Sequence, residues 1–193
     1  RTSVTEFANI RQNGLKALNL KDEDELINVF LTDGQTDIII GTKMGYAVRF
    51  NENQVRNMGR AATGVRGVNL RQDDHVVGAS VISDNQEVLV ITEKGYGKRT
   101  LASEYATKGR GGKGMKTANI TEKNGPLAGL MAVNGDEDLM IITNTGVIIR
   151  TNVANISQTG RATLGVKVMR LDKGAQIVTF TSVEAEDEKE VDE

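Results

Sequence analysis

The sequence predicts an all-β protein made of four-stranded sheets that repeat about every 50 residues. The first observation behind this prediction is a Gly-x-x-x-Arg pattern, whose glycines are Gly45, Gly95 and Gly146. The second is a glycine–aliphatic–basic triplet in the same register, found at residues 14–16, 64–66, 114–116 and 165–167. Two independent signatures that share one period indicate an internal repeat.

The third observation is the strand pattern inside one repeat. In the second repeat, short β-branched segments separated by polar turns predict four strands, at residues 65–70, 75–82, 87–92 and 96–100. No window of 11 residues has the 3.6-residue apolar period of a helix. A single sheet of this kind cannot bury both of its faces, so neighbouring sheets must stack, and a propeller of four-stranded blades is predicted.

The repeats make one domain over residues 1–183, with boundaries at approximately 1–50, 51–100, 101–151 and 152–183. Three repeats are whole, and the fourth contains only two predicted strands, at 166–171 and 176–183. The missing strands come either from another blade, as when a propeller closes by mixing its two ends, or from blades that precede Arg1. Since the chain begins without Met and Arg1-Thr2 resembles the end of an earlier copy, we expect a fragment.

The composition argues against catalysis and against a bound cofactor or metal. The chain has no Cys, which excludes thiolate ligands and disulfides. It has one histidine, His75, and a histidine-based metal site needs more than one. No arrangement in the sequence resembles a nucleophile–base pair or two coupled carboxylates. No apolar run approaches the ~18 residues of a membrane span, and no signal peptide is recognisable. A cytoplasmic, non-catalytic domain is therefore predicted.

The charged residues follow the repeat. Four segments that run from the Gly-x-x-x-Arg pattern through the next triplet hold 20 bases and 3 acids; they are residues 1–16, 43–71, 94–116 and 146–170. The rest of the chain up to residue 183 holds 3 bases and 16 acids. Equivalent positions of stacked blades lie side by side, so the basic segments are expected to merge into one belt. A merely solvated surface would not keep its charge in phase with the repeat.

A continuous basic belt indicates a polyanionic partner. Aromatic residues make up 4% of the chain and do not alternate with the bases, which favours the backbone of duplex DNA over stacked single strands. No recognition helix is predicted, so base readout should be weak. Residues 184–193 hold seven acids and one Lys, and this tail is predicted to be disordered and to compete with DNA for the belt.

The most basic stretch, residues 107–116, combines four bases with four glycines. It is interpreted as a phosphate cradle, because glycines leave backbone N–H groups accessible to an anion; an inert glycine-rich loop is the alternative. Residues 109–114 also fit a dinucleotide fingerprint formally, but a strand pattern follows where that fingerprint requires a helix. The residues predicted to contact DNA are Arg11, Lys16, Arg60, Arg66, Lys108, Arg110, Lys113, Lys116, Arg161 and Lys167.

A second set of arginines allows two interpretations. Arg1, Arg49, Arg99 and Arg150 recur at the end of one strand of the repeat. A salt bridge between blades and a contact with DNA explain this position about equally well.

Three segments together carry a family resemblance. They read Gly-Tyr-Gly-Lys-Arg-Thr at 95–100, Met-Gly-Arg-x-x-Thr-Gly-Val-Arg-Gly at 58–67 and Ile-Ser-x-x-Gly-Arg-x-Thr-x-Gly-Val at 156–166. The chain from Arg1 to about Val183 closely resembles the C-terminal domain of the DNA gyrase A protein, in which an acidic tail also follows. One departure is that the heptad characteristic of that family's first blade has no full copy, although residues 108–114 look like a related version at a later blade.

The resemblance implies a β-pinwheel, a propeller whose neighbouring blades exchange strands. It also implies that duplex DNA wraps around a basic rim, in support of negative supercoiling by the whole ATP-dependent enzyme. The implied partners are the rest of the gyrase A protein and the ATP-hydrolysing gyrase B protein, in an A2B2 complex; the DNA-cleaving residue would lie outside this domain. Because the full heptad is missing, the resemblance does not extend to wrapping by this fragment alone.

Three other identities are weighed against this one. The A protein of topoisomerase IV has a similar domain without a full heptad, and the match at 95–116 favours gyrase over it. A protein-interaction propeller is disfavoured because Kelch and WD blades carry characteristic Trp residues and this chain has none. A propeller enzyme is disfavoured because the sequence offers no catalytic set.

Overall fold

A computed structural model describes residues 1–185, and within that range it has β-strands and short 3-10 helices but no α-helix. The strands are β1 (Asp37–Thr42), β2 (Tyr46–Asn51), β3 (Val76–Ile82), β4 (Glu87–Thr92), β5 (Tyr96–Leu101), β6 (Met115–Lys116), β7 (Leu127–Val133), β8 (Asp138–Thr143), β9 (Ile148–Asn152), β10 (Val166–Lys167) and β11 (Ile177–Val183). The 3-10 helices are Val4–Phe7, Glu52–Gln54, Ala102–Glu104 and Val153–Asn155. The all-β prediction is confirmed.

The strands form three antiparallel sheets, in the orders β3-β1-β2-β6, β7-β4-β5-β10 and β11-β8-β9. Each sheet is built on one hairpin, β1–β2, β4–β5 or β8–β9, and takes its inner strand from the following repeat. In the first two sheets the outer strand comes from one repeat further along. Strands are therefore exchanged between repeats, as the resemblance implied.

Each hairpin turns on a glycine of the Gly-x-x-x-Arg pattern. The amide of Gly45 donates to the carbonyl of Thr42 at 3.0 Å, and Gly95 and Gly146 make the equivalent bonds to Thr92 and Thr143. The three glycines have φ values between 81° and 83°, a region that residues with a Cβ rarely adopt.

The core lies between the sheets, and β4 shows how it is built. Val88 and Val90 point to one face of β4 and pack with Ile39 of the first sheet, whereas Leu89 and Ile91 point to the other face and pack with residues of the third sheet. All four side chains are at most 2% exposed. Since side chains alternate across a strand, a continuous apolar run fits a central strand that is covered on both faces.

The strand predicted at 65–70 is wrong, because those residues form no strand. The equivalent segments do form strands, but only at Met115–Lys116 and Val166–Lys167, where they pair with β2 and β5. Both pairings join residues about 70 positions apart, as in Tyr46 with Lys116. Among the described residues, no strand pairs with residues 65–70. The third sheet likewise has no outer strand among the described residues.

Candidate nucleic-acid interface

The basic triplets lie at the outer edges of the sheets. β7 packs against both β3 and β11, which places these three strands together at the inner side. β6 and β10 are the opposite, outermost strands of their sheets. Lys116 on β6 pairs with Tyr46, and Lys167 on β10 pairs with Tyr96. The geometry thus puts these two lysines on an outer rim.

Most of the residues predicted to contact DNA are exposed. Eight of the ten are exposed and form no ion pair within residues 1–185: Arg11, Lys16, Arg66, Lys108, Arg110, Lys113, Lys116 and Lys167. The other two, Arg60 and Arg161, are half-buried, and Arg161 lies 3.9 Å from the carboxylate of Glu104. We call these ten residues the basic belt.

Three arginines of the belt join neighbouring repeats. Nη1 of Arg60 donates to the carbonyl of Lys16 at 3.2 Å. Arg110 and Arg161 make the same bond, at 3.1 Å, to the carbonyls of Arg66 and Lys116. Each bond links the arginine of one repeat to the main chain of the triplet base in the repeat before it, so two basic residues are neighbours at each of these three junctions. Sequence spacing aligns these arginines but does not show what they bond.

The glycine-rich loop at residues 108–114 is held firmly from one side. The side chain of Gln54 accepts from the amide of Arg110 at 2.8 Å and donates to the carbonyl of Lys108 at 3.0 Å. Nη1 of Arg71 donates to the carbonyl of Lys113 at 2.6 Å, while its guanidinium stacks over the ring of Tyr46 at 3.3 Å. The loop is therefore a fixed part of the rim.

The strand-end arginines have structural partners. Arg49 is 5% exposed, pairs with Asp37 at 2.9 Å and Asp84 at 2.7 Å, and donates to the carbonyl of Ala102 in the 3-10 helix that follows β5. Arg99 pairs with Glu87 and donates to the carbonyl of Ile156 at 2.7 Å. Arg1 lies 3.4 Å from Glu52, and Arg150 lies 2.8 Å from Asp138. The pairs of Arg49 with Asp37, Arg99 with Glu87 and Arg150 with Asp138 each lie within one hairpin, so these ion pairs are not the predicted bridges between blades. The bonds of Arg49 and Arg99 to other repeats go to carbonyls, and Arg49 has little surface left for DNA.

These ion pairs and hydrogen bonds shape the acidity of two carboxyls. Burial raises the pKa of Asp37, but hydrogen bonds from Thr107, Asn51 and Arg49 outweigh it and leave the pKa below its ordinary value. Burial likewise raises the pKa of Glu52, and bonds from Thr32, Thr36 and Gly34 more than reverse that effect. Both groups are therefore held in the charged form at neutral pH.

Lys98 is a residue whose role the sequence does not reveal. It counts among the bases of the basic segments, yet it is 1% exposed. Its ammonium donates to the carbonyls of Gly160, Arg161 and Thr163 at 2.8, 2.5 and 3.2 Å. Burial lowers its pKa to about 8, an effect that Glu104 partly opposes. Val48 and Ile149 occupy the equivalent positions of the other repeats, and that contrast is the one signal in the sequence.

Other kinds of site find no support in the part of the chain that the structure describes. No group of three or more His, Cys, Asp and Glu side chains there could hold a metal ion. The concavity along the inner strands is lined by residues such as Phe30, Leu130 and Phe180, with no ionisable side chain. Among residues 1–185, no helix is long and apolar enough to cross a membrane.

Comparison with known proteins agrees with this arrangement. A family model described as the DNA gyrase C-terminal domain, beta-propeller, matches residues 1–33, 36–83, 86–134 and 137–184. The DNA gyrase A protein of Streptococcus pneumoniae serotype 4 is 79% identical over 191 residues, which are 99% of this chain and 23% of that protein. Its counterpart in Halalkalibacterium halodurans is 62% identical over 193 residues, 100% of this chain and 23% of that protein. The chain thus spans about a quarter of the length of these relatives.

Solved structures show the same fold. The C-terminal domain of DNA topoisomerase IV superposes with a TM-score of 0.90 and 27% identity, over 96% of this chain and 58% of that one. A DNA gyrase A C-terminal domain superposes with a TM-score of 0.79 and 27% identity, over 89% of this chain and 58% of that one. Because four successive matches to the family model span most of the sequence, the chain belongs to the DNA gyrase C-terminal domain family of β-propellers.

Proposed function

We propose that this domain binds duplex DNA on the basic belt without sequence preference and bends or wraps the duplex around the rim. The observation that carries the proposal is the repeated junction, at which the triplet bases Lys16, Arg66 and Lys116 each lie beside an arginine of the next repeat. Eight belt residues are exposed and have no counter-charge among the described residues, so their electrostatic attraction is available to a polyanion.

The rim offers contacts suited to a backbone and unsuited to base recognition. Its cations stand on short strands and loops, and the described residues include no helix that could enter a major groove. Phosphate contacts position a protein on DNA without reading its sequence. Binding is therefore expected to be general for duplexes.

A curved rim can engage many phosphates only if the duplex follows it. Smoothly bending a site of about 20–30 bp by 40–90° costs roughly 1–6 kcal/mol. No single loop holds enough charge to offset that cost, so contacts must be spread over several junctions. This requirement favours wrapping over docking at one point.

The first experiment is a gel-shift series with duplexes of unrelated sequence at rising salt. If the belt makes about 6–10 phosphate contacts, the affinity should fall by roughly 10³–10⁵ between about 50 and 200 mM salt. A flat salt dependence, or no complex at low salt, would rule the proposal out.

In the intact protein, we propose, the domain acts with the rest of the gyrase A protein and with the gyrase B protein in an A2B2 complex in the cytoplasm. It would supply DNA wrapping for ATP-dependent negative supercoiling and carry none of the catalytic residues. The 79% identity to the Streptococcus pneumoniae gyrase A protein, over a quarter of that protein, supports this assignment. Reconstituted enzyme lacking the domain should then relax DNA but no longer supercoil it.

Topoisomerase IV is the second candidate for the parent enzyme, since a C-terminal domain of that enzyme gives a TM-score of 0.90. Decatenation without supercoiling by the intact enzyme would favour topoisomerase IV as the parent.

In either parent enzyme, the acidic tail is proposed to compete with DNA for the basic belt; residues 186–193 of that tail lie outside the described residues. Deleting residues 184–193 should tighten DNA binding, most of all at low salt, where charges are least screened.

A further inference from the structure

We propose that the third residue of each 3-10 helix sets how strongly the neighbouring junction of the basic belt holds DNA. Gln54 leaves the junction of Arg110 fully positive, whereas the charge of Glu104 opposes Arg161. The junction of Arg161 therefore releases DNA at lower salt than that of Arg110. This inference rests on the proposed function, and it gives the acids of the rim a role that the belt of bases does not include.

Two of the three acids in the basic segments occupy this position. The three acids are Glu6, Glu52 and Glu104. Glu52 is 4% exposed and is bonded to the loop at residues 32–36, so it belongs to the interior of the fold. Glu6 and Glu104 are exposed, and each is the third residue of its 3-10 helix. Within the basic segments, exposed acids therefore occur at a single position of the repeat.

The fold uses a hydrogen-bond acceptor at this position, and a neutral side chain can supply it. The side-chain oxygen of Gln54 accepts from the amide of Arg110 at 2.8 Å. The carboxylate of Glu104 accepts from the amide of Arg161 at 3.2 Å, which is the same contact one repeat later. The hydrogen bond alone thus does not explain why residue 104 is charged.

The charge of Glu104 acts on an arginine of the belt. Oε2 of Glu104 lies 3.9 Å from Nε of Arg161, and their side chains are 41% and 33% exposed. An opposite charge at this distance cancels part of the attraction that Arg161 exerts on a phosphate. Arg110 has no such partner: its Nε donates to the carbonyl of Gln54 at 2.9 Å, and it forms no ion pair within residues 1–185.

Glu6 brings an acid to the first junction. It lines one shallow concavity together with Lys16, Gly59 and Arg60, and Arg60 is the arginine that bonds the carbonyl of Lys16. A carboxylate therefore lies beside the two bases that meet there. The belt should hold DNA most strongly at its middle junction, beside Gln54, and less strongly at the junctions on either side.

Glu104 also has a second neighbour, whose effect must be separated from that of Arg161. Burial lowers the pKa of Lys98 to about 8, and Glu104 partly opposes this effect. Val48 takes the place of Lys98 in the repeat that contains Gln54. A counter-charge that served Lys98 alone would change the stability of the domain and leave its affinity for DNA unaltered.

The test compares Glu104→Gln with Glu122→Gln, a control that neutralises an exposed acid outside the basic segments. Glutamine keeps the acceptor for the amide of Arg161 and removes only the charge. Duplex affinity should rise by about two- to fivefold in Glu104→Gln, as for one partly exposed charge pair, and should stay unchanged in the control. The bend, followed by fluorescence transfer between the duplex ends, should persist to higher salt in Glu104→Gln than in the parent.

If the parent does not bind duplex, the proposed function fails first. If the parent binds and Glu104→Gln gains no more affinity than Glu122→Gln, the inference is wrong. A lower melting temperature with unchanged affinity would assign Glu104 to Lys98 alone and would also overturn it. Combining Glu104→Gln with Arg161→Gln gives a last check, because the gain should shrink when the arginine is absent. An undiminished gain would show that Glu104 does not act on Arg161.

Discussion

At the scale of single residues, the acceptors around each cation decide what that cation can do. Lys98 and Arg49 are buried and bonded to carbonyls or carboxylates of neighbouring segments, whereas Lys116 and Lys167 are exposed on the outermost strands. A count of bases therefore overstates the charge available to DNA. Buried cations tie the repeats together, and exposed cations form the surface.

Replacing Lys98 with Met should destabilise the domain. The change removes an ammonium bonded to three carbonyls and leaves that of Arg161 with no other donor among the described residues, which should lower the free energy of unfolding by roughly 1–3 kcal/mol. Lys116→Gln is the matched control, since its exposed side chain should contribute little to stability. Equal urea midpoints for the two variants would show that Lys98 does not hold the 160–163 loop.

Glu52 should make stability depend on pH in the acid range. Its pKa is lower in the folded protein than the ordinary value of 4.5, so its contribution is full above that pH and is lost as the pH falls through the folded value. Glu52→Gln should lower the free energy of unfolding at pH 7 by roughly 1–3 kcal/mol, since bonds from three donors to a carboxylate weaken. In this variant, the free energy of unfolding, measured by urea unfolding, should also fall less steeply than in the parent as the pH drops below 4.5. An unchanged acid profile would contradict the assignment.

At the scale of elements, the blade junction combines structure and surface. The guanidinium of Arg161 donates to the carbonyl of Lys116, so one side chain both joins two repeats and adds charge to the rim. Lys167 adds charge on β10 without any side-chain hydrogen bond to another residue in the described range, although its ammonium lies 5.2 Å from the ring of Tyr96. The two kinds of belt residue should therefore respond differently to substitution.

Arg161→Gln should lower both the melting temperature and the DNA affinity, with a stability loss of about 1–2 kcal/mol for the lost bond between repeats. Lys167→Gln should lower DNA affinity and leave the melting temperature close to that of the parent. Thermal unfolding and a duplex titration on the same samples separate the two effects. A similar melting temperature for both variants would mean that the arginine bonds do not stabilise the junctions.

The sequence predicts elements well where a strand finds its partners within the described chain. The strands predicted at 75–82, 87–92 and 96–100 agree with β3, β4 and β5 to within one residue, because alternation and hairpin glycines are local signals. The strand predicted at 65–70 is wrong because no described strand pairs with it, whereas the equivalent residues 115–116 and 166–167 pair with strands about 70 residues earlier, a relation that no local pattern encodes. The burial of Lys98 is hidden for the same reason, since its acceptors lie more than 60 residues further on.

At the scale of the whole molecule, strand exchange converts a linear repeat into a continuous rim. Each of the first two sheets contains strands from three successive repeats, so the positions of neighbouring triplets are fixed relative to one another. Under the proposed function, a duplex that contacts triplets of several repeats must follow their fixed arrangement. Removing charge from one end of the array should weaken that bend before it abolishes binding, because the remaining junctions still hold phosphates.

The measurement that tests this account most directly is fluorescence transfer between the two ends of a labelled duplex bound to the protein. We expect transfer to rise on binding, to fall again with added salt, and to fall more than affinity does when Lys116 and Lys167, or Lys16 and Arg66, are changed to Gln. The full-length protein provides the same measurement with its remaining domains in place. A duplex that is bound, as shown by gel shift, but keeps its ends at their unbound separation in the domain and in the full-length protein would show that the belt docks DNA without bending it.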